Sequence, residues 1–294
     1  MAQGDINKST LAVIALVLTN PTPNSFHLFQ NSTIGNKSKY HPKLDAFNAS
    51  LSLDGGKTFA NVELPSIHAT EIAFSIVDQD VRITDINAFT AYTAATLAQE
   101  EIKVRVKGRT GLREGQLPKT NVDYNKVATF KGLSNLKGFN VTSFSVKLTP
   151  EPDGANMLGQ LSIPNPSVLT LSMGNVTFNN FLPATGSAPR TAIGTSMLND
   201  LTLKPGDNTV SMRSIINQTL VIGAVASTYK DGMLPVEITG NSSVYNGQHL
   251  PYFEKALQGL TQKVTLNVGA ALKEAGVDPK ILASLAGGGL PPSV

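Results

Sequence analysis

The sequence contains no cysteine and no tryptophan, and only 15% of its residues are charged. Without cysteine the chain has no disulfide, no thiolate metal site and no cysteine nucleophile. This absence fits both reducing and oxidising compartments, so it does not place the protein. The low charge and the many Gly, Pro, Ser, Thr and Asn residues favour short strands and turns over long helices.

Long apolar runs are also missing. The most apolar stretch, residues 11–19, has nine residues, whereas a helix needs about 20 to cross a bilayer. It also lacks the basic leader and the small-residue cleavage site of a signal peptide. Because the chain starts one short polar stretch before this predicted strand, we expect an ectodomain separated from its anchor or signal.

The motifs that carry most enzyme chemistry are absent as well. There is no Gly-x-Ser-x-Gly elbow, phosphate-binding loop or dinucleotide fingerprint, and Gly194-Thr195-Ser196 is predicted to lie on a strand. The four histidines are scattered without the spacing of metal ligands: His27, His41, His68 and His249. We therefore predict that the protein is not an enzyme and holds no cofactor and no metal.

Two acidic clusters bear on that prediction. Asp78-Gln79-Asp80 offers oxygen ligands to a hard cation, but it lacks the glycine and terminal glutamate of an EF-hand loop. The pattern favours a solvated strand edge instead, with Asp85 capping a following helix. Glu100-Glu101 falls between a predicted helix and a predicted strand, where nothing supports paired-carboxylate catalysis.

Alternation with a period of two dominates what is present. Ala49, Leu51 and Leu53 alternate with polar residues, as half-buried strands do, and turn pairs such as Asn246-Gly247 separate such stretches. The chain has 294 residues and a mass of 31.1 kDa, about twice the usual size of one domain. These features predict a mostly-β protein of two domains.

The two parts of the chain repeat the same anchors in the same order. A strand ends in Asn-Pro, alternation runs up to a glycine, and an apolar-x-Gly-Leu motif precedes another alternating strand. The matched pairs are Asn20-Pro21 with Asn165-Pro166, Val104–Gly108 with Val236–Gly240, and Phe130–Leu133 with Leu257–Leu260. Matching order makes a duplication the economical explanation.

We therefore predict two tandem β-sandwiches, each with a short helix. The predicted units are a first sandwich over 1–145 with a helix near 85–99, a second over 146–270 with a helix near 251–259, and a C-terminal helical or flexible tail over 271–294. Thr84 or Asp85 can cap the first helix, whereas Pro251 and Gly259 bracket the second. A further short helix is predicted in the tail, from Pro279 to Leu285.

Eight Asn-x-Ser/Thr sequons occur, about twice the number that the composition predicts. One is at Asn7, and the seven candidate glycosylation sites are Asn31, Asn36, Asn48, Asn140, Asn175, Asn217 and Asn241. Sequons at this density predict the lumen of the secretory pathway, the vacuolar lumen or the cell exterior. The alternative is chance enrichment in a chain rich in Asn and Thr.

Four cations alternate along one predicted strand: Lys103, Arg105, Lys107 and Arg109. Alternation places them on one face of that strand. The face is either a solvated surface of the sheet or a basic patch that meets anionic lipid head groups. Nucleic acid is not expected as a partner, because no aromatic residues interleave with these cations and the net charge is only +3.

Several phrases resemble one family. Asn7–Leu11, together with Thr19–Phe26, resembles the first copy in fungal proteins of domain-of-unknown-function family 3712. Asn165–Ser167, Gly174–Phe178 and Leu201–Asn208 resemble the same family in the second part, and also the related late-embryogenesis-abundant type 2 domains of plants. The resemblance spans nearly the whole chain in matching order.

The resemblance implies fibronectin-like β-sandwiches in the lumenal or extracellular body of a single-pass fungal membrane protein, often of vacuolar or secretory membranes. It also implies a family suggested to hold or move lipid, and it carries over no catalytic residue. A lipid pocket in the first sandwich would be lined by Phe89, Tyr92, Leu97, Val104 and Val106. The alternative is that these residues fill a closed core, and the competing function is a structural or adhesive glycoprotein that binds protein or cell-wall polysaccharide.

Overall fold

A computed structural model describes residues 2–35, 41–68, 70–186 and 188–277. The described chain is mostly β, with one sheet of eleven strands and one of six. The strands are β1 Thr10–Thr22, β2 Ser25–Gly35, β3 Lys43–Leu44, β4 Phe47–Leu53, β5 Thr58–Leu64, β6 Ile67–His68, β7 Ile72–Arg82, β8 Glu101–Arg113, β9 Thr120–Lys131, β10 Asn140–Val146, β11 Met157–Asn165, β12 Leu169–Leu182, β13 Thr191–Leu203, β14 Gly206–Ile216, β15 Met233–Tyr245, β16 Gln248–His249 and β17 Thr261–Asn267. The helices are α1 Ala2–Lys8, α2 Ile86–Ala98, α3 Gln218–Ser227, α4 Pro251–Gln258 and α5 Val268–Glu274.

The first half of the molecule, from α1 to β9, is a sandwich. Strands β1, β2 and β7 belong to the eleven-stranded sheet, and they face the six-stranded sheet, in which the order is β5-β4-β8-β3-β6 with β9 paired to β8. Alternation along each strand places Leu16, Leu18 and Leu28 inside, opposite Val104 and Val106. The apolar residues between the two layers are the core of this half.

The second half, from β10 to α5, encloses its own core. Strands β10, β11, β14, β13, β12, β15 and β17 lie side by side in this order. The last strand, β17, contacts β10, and α5 contacts both β10 and β15. The sheet therefore curls until its two ends approach, and helices cover the gap between them.

The two halves are not separate in space. β1 pairs in parallel with the start of β12, with Leu16 opposite Leu169, so one sheet runs through both halves. Helices α2 and α4 also pack against each other: the rings of Phe89 and Tyr252 are 4.8 Å apart, and Thr93 Oγ1 donates a hydrogen bond of 3.0 Å to the carbonyl of Tyr252. The predicted mostly-β architecture is confirmed. Instead of two separate sandwiches, however, the two halves share one sheet and a helix contact.

Both predicted helices form, with the predicted ends. The Asp85 carboxylate caps α2 by accepting from the backbone N–H groups of Asn87 and Ala88, at 2.9 and 3.0 Å. Pro251 occupies the first turn of α4, and Gly259 is its C-cap. The predicted boundary between residues 145 and 146 falls inside β10, which pairs with β11. The predicted helix from Pro279 to Leu285 lies outside the described residues, and the described part of the predicted tail contains the end of α5.

The N-terminal helix α1 was not predicted, and it docks on the first half. Ile6 is buried, and Lys126 of β9 donates from Nζ to the carbonyls of Ile6, Asn7 and Ser9. Burial lowers the pKa of the Lys126 amine. This cation satisfies carbonyls that the end of the helix leaves without partners, so it fixes α1 against the sheet.

Candidate apolar binding site

The second half contains an apolar pocket at the end where β12 and β14 finish and β13 and β15 begin. We call it the second-half pocket. Its walls come from seven strands, and α3 and α5 cover it. It is lined by Val141, Phe144, Val146, Asn156, Met157, Asn180, Ile193, Ser196, Met212, Ile216, Gln218, Val221, Ile222, Leu234, Val236, Ile238, Leu266, Val268 and Leu272.

The lining of this pocket is almost entirely apolar. Fifteen of its nineteen residues are aliphatic, methionine or phenylalanine, and none is charged. The cavity is about 50 Å³, well below the roughly 300–1,000 Å³ of small-molecule sites. Its lining is suited to an apolar group and offers no acid or base for proton transfer.

Both covering helices begin at an asparagine. Asn217 Oδ1 accepts from the N–H of Leu220 at 3.1 Å to start α3, and Asn267 Oδ1 accepts from the N–H of Ala270 at 3.0 Å to start α5. The caps satisfy N–H groups that a helix start leaves free. Each helix then turns apolar side chains inward, and those at the pocket include Val221 of α3 and Leu272 of α5.

Two of the four polar side chains in the lining form hydrogen bonds with the backbone. Asn156 donates from Nδ2 to the carbonyl of Ile216 at 2.7 Å and accepts from the Ile216 N–H at 2.8 Å. Gln218 donates from Nε2 to the carbonyl of Lys147 at 2.8 Å. These bonds tie the start of β11, the end of β14 and the start of α3 together around the rim.

The other two polar side chains in the lining, Asn180 and Ser196, form a hydrogen-bonded trio with Ser214 across three neighbouring strands. Asn180 of β12 donates from Nδ2 to Ser196 Oγ of β13 at 2.7 Å, and Ser196 Oγ lies 2.8 Å from Ser214 Oγ of β14. Gly194 lies opposite Asn180 in the pairing and has φ +144°, and a Cβ there would be 2.1 Å from the carbonyl oxygen of Ile215. A glycine is therefore required for β13 to run this close to β14.

Charged groups near this end of the molecule point away from the pocket. Arg213 of β14 contacts Glu151 at 2.6 Å and Asp153 at 2.7 Å, which fixes the turn between β10 and β11. The Arg213 guanidinium and the N–H of Ala155 lower the pKa of the Asp153 carboxyl to about 2. The outer surface of this half is therefore ionised while its interior stays uncharged.

The predicted pocket residues lie in the first half and are only partly brought together. Tyr92, Val104 and Val106 line a cavity of about 40 Å³ between the two sheets, which we call the first-half cavity. Phe89 and Leu97 do not line it, although both are fully buried. Burial also raises the pKa of Tyr92 to about 12, so its phenol stays neutral.

Phe89 is instead the centre of an aromatic cluster. Its ring stacks on Phe26 at 5.1 Å and also contacts Phe59, Tyr92 and Tyr252, at 5.6, 5.7 and 4.8 Å. Stacked and edge-on rings at these separations attract each other beyond the effect of their buried area. Phe89 thus fills the junction of α2, the first sandwich and α4.

The four predicted cations lie on β8 and alternate with buried residues, as expected. Arg105 is paired with Asp54 at 2.5 Å and also donates to Asn125 Oδ1 at 2.7 Å, and Lys103 lies 3.2 Å from Glu101. Lys107 and Arg109 are exposed. The positive charge of this face is therefore partly neutralised by neighbouring acids.

The acidic cluster of β7 holds a histidine. His27 of β2 is 2.8 Å from both Asp78 and Asp80, through Nε2 and Nδ1 respectively. Hydrogen bonds and charge from Asp80 and Asp78 raise the pKa of His27, against a smaller opposing effect of burial. Over the part of the chain that the structure describes, no group of three or more His, Asp or Glu side chains is arranged to hold a metal ion.

Most of the sequon asparagines are on the surface. The exposed ones are Asn7, Asn48, Asn140, Asn175, Asn217 and Asn241. Asn31 is half-buried on β2, and Asn36 lies outside the described residues. None of the described helices is long and apolar enough to cross a membrane.

Residues 57–180 match the family described as Protein of unknown function (DUF3712). The resemblance inferred from the sequence is thereby confirmed for this segment, which runs from β5 to Asn180 on β12. The matched segment thus includes strands of both halves. No curated protein matches the sequence.

Similarities to solved structures are weak. A solution structure of an Arabidopsis thaliana protein is 12% identical, over 40% of this chain and 80% of that chain, with a TM-score of 0.24. A bacterial adhesin from Mobiluncus mulieris is 10% identical, over 79% of this chain and 80% of that chain, with a TM-score of 0.22. Red sea bream transglutaminase is 11% identical, over 85% of this chain and 30% of that chain, also at 0.22. TM-scores this low assign neither a fold nor a function.

Proposed function

We propose that this protein is a non-catalytic module that binds an apolar ligand, such as the acyl chain of a lipid, in the second-half pocket. The observation that carries the proposal is the pocket lining, which is apolar at fifteen of nineteen positions and uncharged throughout. An apolar ligand gains roughly 25 cal/mol for each Å² that it removes from water. A charged group would lose its hydration there without a compensating partner.

Entry into the pocket requires its cover to move. The enclosed cavity of about 50 Å³ is smaller than an acyl chain, so α3 or α5 shifts outward as the ligand enters. Helix α3 suits this role because it is ten residues long and contains Gly223, which weakens a helix interior. Leu220 on this helix is itself exposed.

The second-half pocket can be compared with the pocket predicted in the first sandwich through the tandem repeat inferred from the sequence. Val104 and Val106 of β8 correspond in the repeat to Val236 and Ile238 of β15, and each of these strands follows a helix, α2 or α3. This arrangement supports a duplication in which α3 is the counterpart of α2. One copy then has a core filled by rings, and the other has a pocket.

The repeat provides a matched pair of variants for the test. Val236→Phe fills the second-half pocket, whereas Val104→Phe adds the same bulk to the first-half cavity. Purified, delipidated proteins are titrated with radiolabelled hexadecanol delivered from cyclodextrin. We expect binding to the wild type and to Val104→Phe, and at least tenfold weaker binding to Val236→Phe. Equal loss in both variants, or no binding to any of them, would contradict the proposal.

We further propose that the chain is the lumenal or extracellular body of a membrane-anchored fungal protein. The exposed sequons support this location, because a glycan needs an accessible asparagine. The chain is expressed in a fungus behind a signal peptide, and its intact mass is measured before and after endoglycosidase treatment. Asn→Gln variants at Asn48, Asn175 and Asn241 should each lose one glycan mass. A mass without any glycan would overturn the lumenal assignment.

A second candidate function is adhesion through a protein or polysaccharide partner, and one surface favours it. On the outer face of β7, Ile72, Phe74 and Ile76 are 63%, 67% and 56% exposed. Exposed apolar stripes of this kind often mark interaction sites. If the stripe binds the cell wall, the secreted wild type should remain in the wall fraction while a Phe74→Ser variant is released. Equal release of both proteins would remove this candidate.

A further inference from the structure

One hydrogen-bonding atom of Asn180, a residue that lines the second-half pocket, has no partner among the described residues. Asn180, Ser196 and Ser214 are 3%, 4% and 1% exposed, so water does not reach them from the surface. The Asn180 amide nitrogen is used by Ser196, but the Asn180 Oδ1 atom is buried and has no hydrogen-bond partner among the described residues. Folded proteins satisfy nearly all of their buried polar groups, and an exception inside a pocket points to a missing ligand atom.

The chemistry of the missing atom follows from both orientations of the amide. As placed, Asn180 presents a carbonyl oxygen that needs a donor. With oxygen and nitrogen exchanged, Ser196 would donate to the oxygen, and the NH₂ group would need an acceptor. A hydroxyl group both donates and accepts, so it satisfies either orientation. A carboxylate or phosphate does not fit, because no cation lines the pocket.

We propose that the second-half pocket selects apolar molecules that carry a hydroxyl group, and that Asn180 is the residue that binds this hydroxyl. The inference rests on the proposed function and adds the chemical class of the ligand. A long-chain alcohol, a sterol or the free hydroxyl of a glyceride belongs to this class. Ser196 and Ser214 act as positioning residues, because their hydrogen bonds hold the amide at the wall.

The position of Asn180 gives the ligand a direction. Asn180 is opposite Ile238 in the β12–β15 pairing, and Leu234 lies four residues nearer the start of β15. At about 3.3 Å for each residue, the hydroxyl binds roughly 13 Å inward from Leu234. The apolar remainder then runs over Leu234 and Leu266, which are paired across β15 and β17, and leaves beneath α3 and α5.

The first-half cavity lacks this feature. Its amide-bearing lining residue, Gln30, donates from Nε2 to Ser32 Oγ at 2.6 Å. Among the described residues that line this cavity, none has a buried side-chain nitrogen or oxygen without a hydrogen-bond partner. The remaining residues that line this cavity are apolar or, at Tyr92, a phenol. The buried amide atom without a partner that motivates hydroxyl selection therefore occurs in the second-half pocket and not in this cavity.

The test compares two probes that differ in one group. Hexadecanol has a hydroxyl, whereas heptadecane has the same number of heavy atoms and no group that donates or accepts a hydrogen bond. Both are delivered from cyclodextrin to the wild type, to Asn180→Leu, to Asn180→Ala and to the control Ser172→Ala. Ser172 is buried on β12 outside the pocket and bonds Thr202 at 3.2 Å. The alanine variant at Asn180 provides a smaller replacement should leucine disturb the fold, which circular dichroism and urea unfolding check.

We expect the wild type and Ser172→Ala to bind hexadecanol about tenfold more tightly than heptadecane, as an added buried hydrogen bond implies. The Asn180 variants should lose this preference, because the hydroxyl then has no partner. If the wild type binds both probes equally well, the hydroxyl selection is wrong while the proposed function stands. If the wild type binds neither probe, the proposed function itself fails.

Discussion

Phe26, Phe59, Phe89 and Tyr92 fill the first half with stacked rings, whereas the second-half pocket contains one ring, Phe144, among aliphatic side chains. The enclosed cavities are nearly equal, about 40 and 50 Å³, so their sizes do not distinguish the halves. The two halves differ in the side chains that line each cavity and in the helices that cover it. Rings are stiff and mutually attractive, while aliphatic chains under a short helix can rearrange around a guest.

The helices that cover the two halves account for the different packing of their interiors. Helix α2 places Phe89 and Tyr92 into the first half and packs on α4, which brings Tyr252 to the same cluster. Helix α3 contributes Gln218, Val221 and Ile222 to the second-half pocket, and none of them carries a ring. We infer that the ring-rich helix closes one half and the aliphatic helix keeps the other available.

The largest expected effect comes from removing a ring in each half. Phe89→Ala leaves a cavity at a fully buried site with four ring neighbours and should lower the free energy of unfolding by about 3–5 kcal/mol. Phe144→Ala removes a half-buried ring at the pocket and should cost only about 1 kcal/mol. Urea denaturation of both variants measures the difference. Equal losses would mean that the second half is packed as tightly as the first.

Ligand should stabilise the protein through the second half alone. At a concentration one hundred times Kd, a bound ligand adds about 2.7 kcal/mol to the free energy of unfolding. We expect hexadecanol to raise the Tm of the wild type and of Val104→Phe and to leave that of Val236→Phe unchanged. Differential scanning calorimetry measures the three shifts. A shift of the same size in Val236→Phe would place the ligand elsewhere.

Much of the fold was accessible from local sequence signals. Period-two alternation predicted the strands, and Asp85 and Pro251 predicted where α2 and α4 begin. The sequence does not predict helix α3, because Thr219, Val221 and Ile222 are β-branched and favour a strand. The sequence signal for this helix is Asn217, which is its N-cap as well as part of a sequon.

The candidate site was less accessible than the fold. The parallel pairing of β1 with β12 joins residues more than a hundred positions apart, and no local pattern specifies it. A pocket in the first half was predicted because the apolar face of α2 is visible in the sequence. Whether such a face is filled depends on rings supplied by other elements, here Phe26, Phe59 and Tyr252. The trio at Asn180 likewise exists only once three strands are in register.

The smallest expected effect is a pH dependence carried by the first half. The pKa of His27 is raised in the folded state, so its contribution is fully present below about pH 6.5 and is lost as the pH rises through the raised value. His27 is partly exposed, so the change in the free energy of unfolding should stay below about 1 kcal/mol. Urea denaturation at pH 5.5 and pH 8 measures it. His27→Gln should remove this part of the pH dependence, and an unchanged profile would contradict the assignment.

The central claim, that the second half and not the first receives an apolar ligand, can be tested by placing one tryptophan in each half. The chain has no tryptophan of its own, so Phe144→Trp and Tyr92→Trp each give a single fluorescent reporter. A long-chain alcohol brominated along its chain quenches tryptophan only on contact. We predict strong, saturable quenching in Phe144→Trp and none in Tyr92→Trp. Quenching of Tyr92→Trp alone, or equal quenching of both reporters, would contradict the claim.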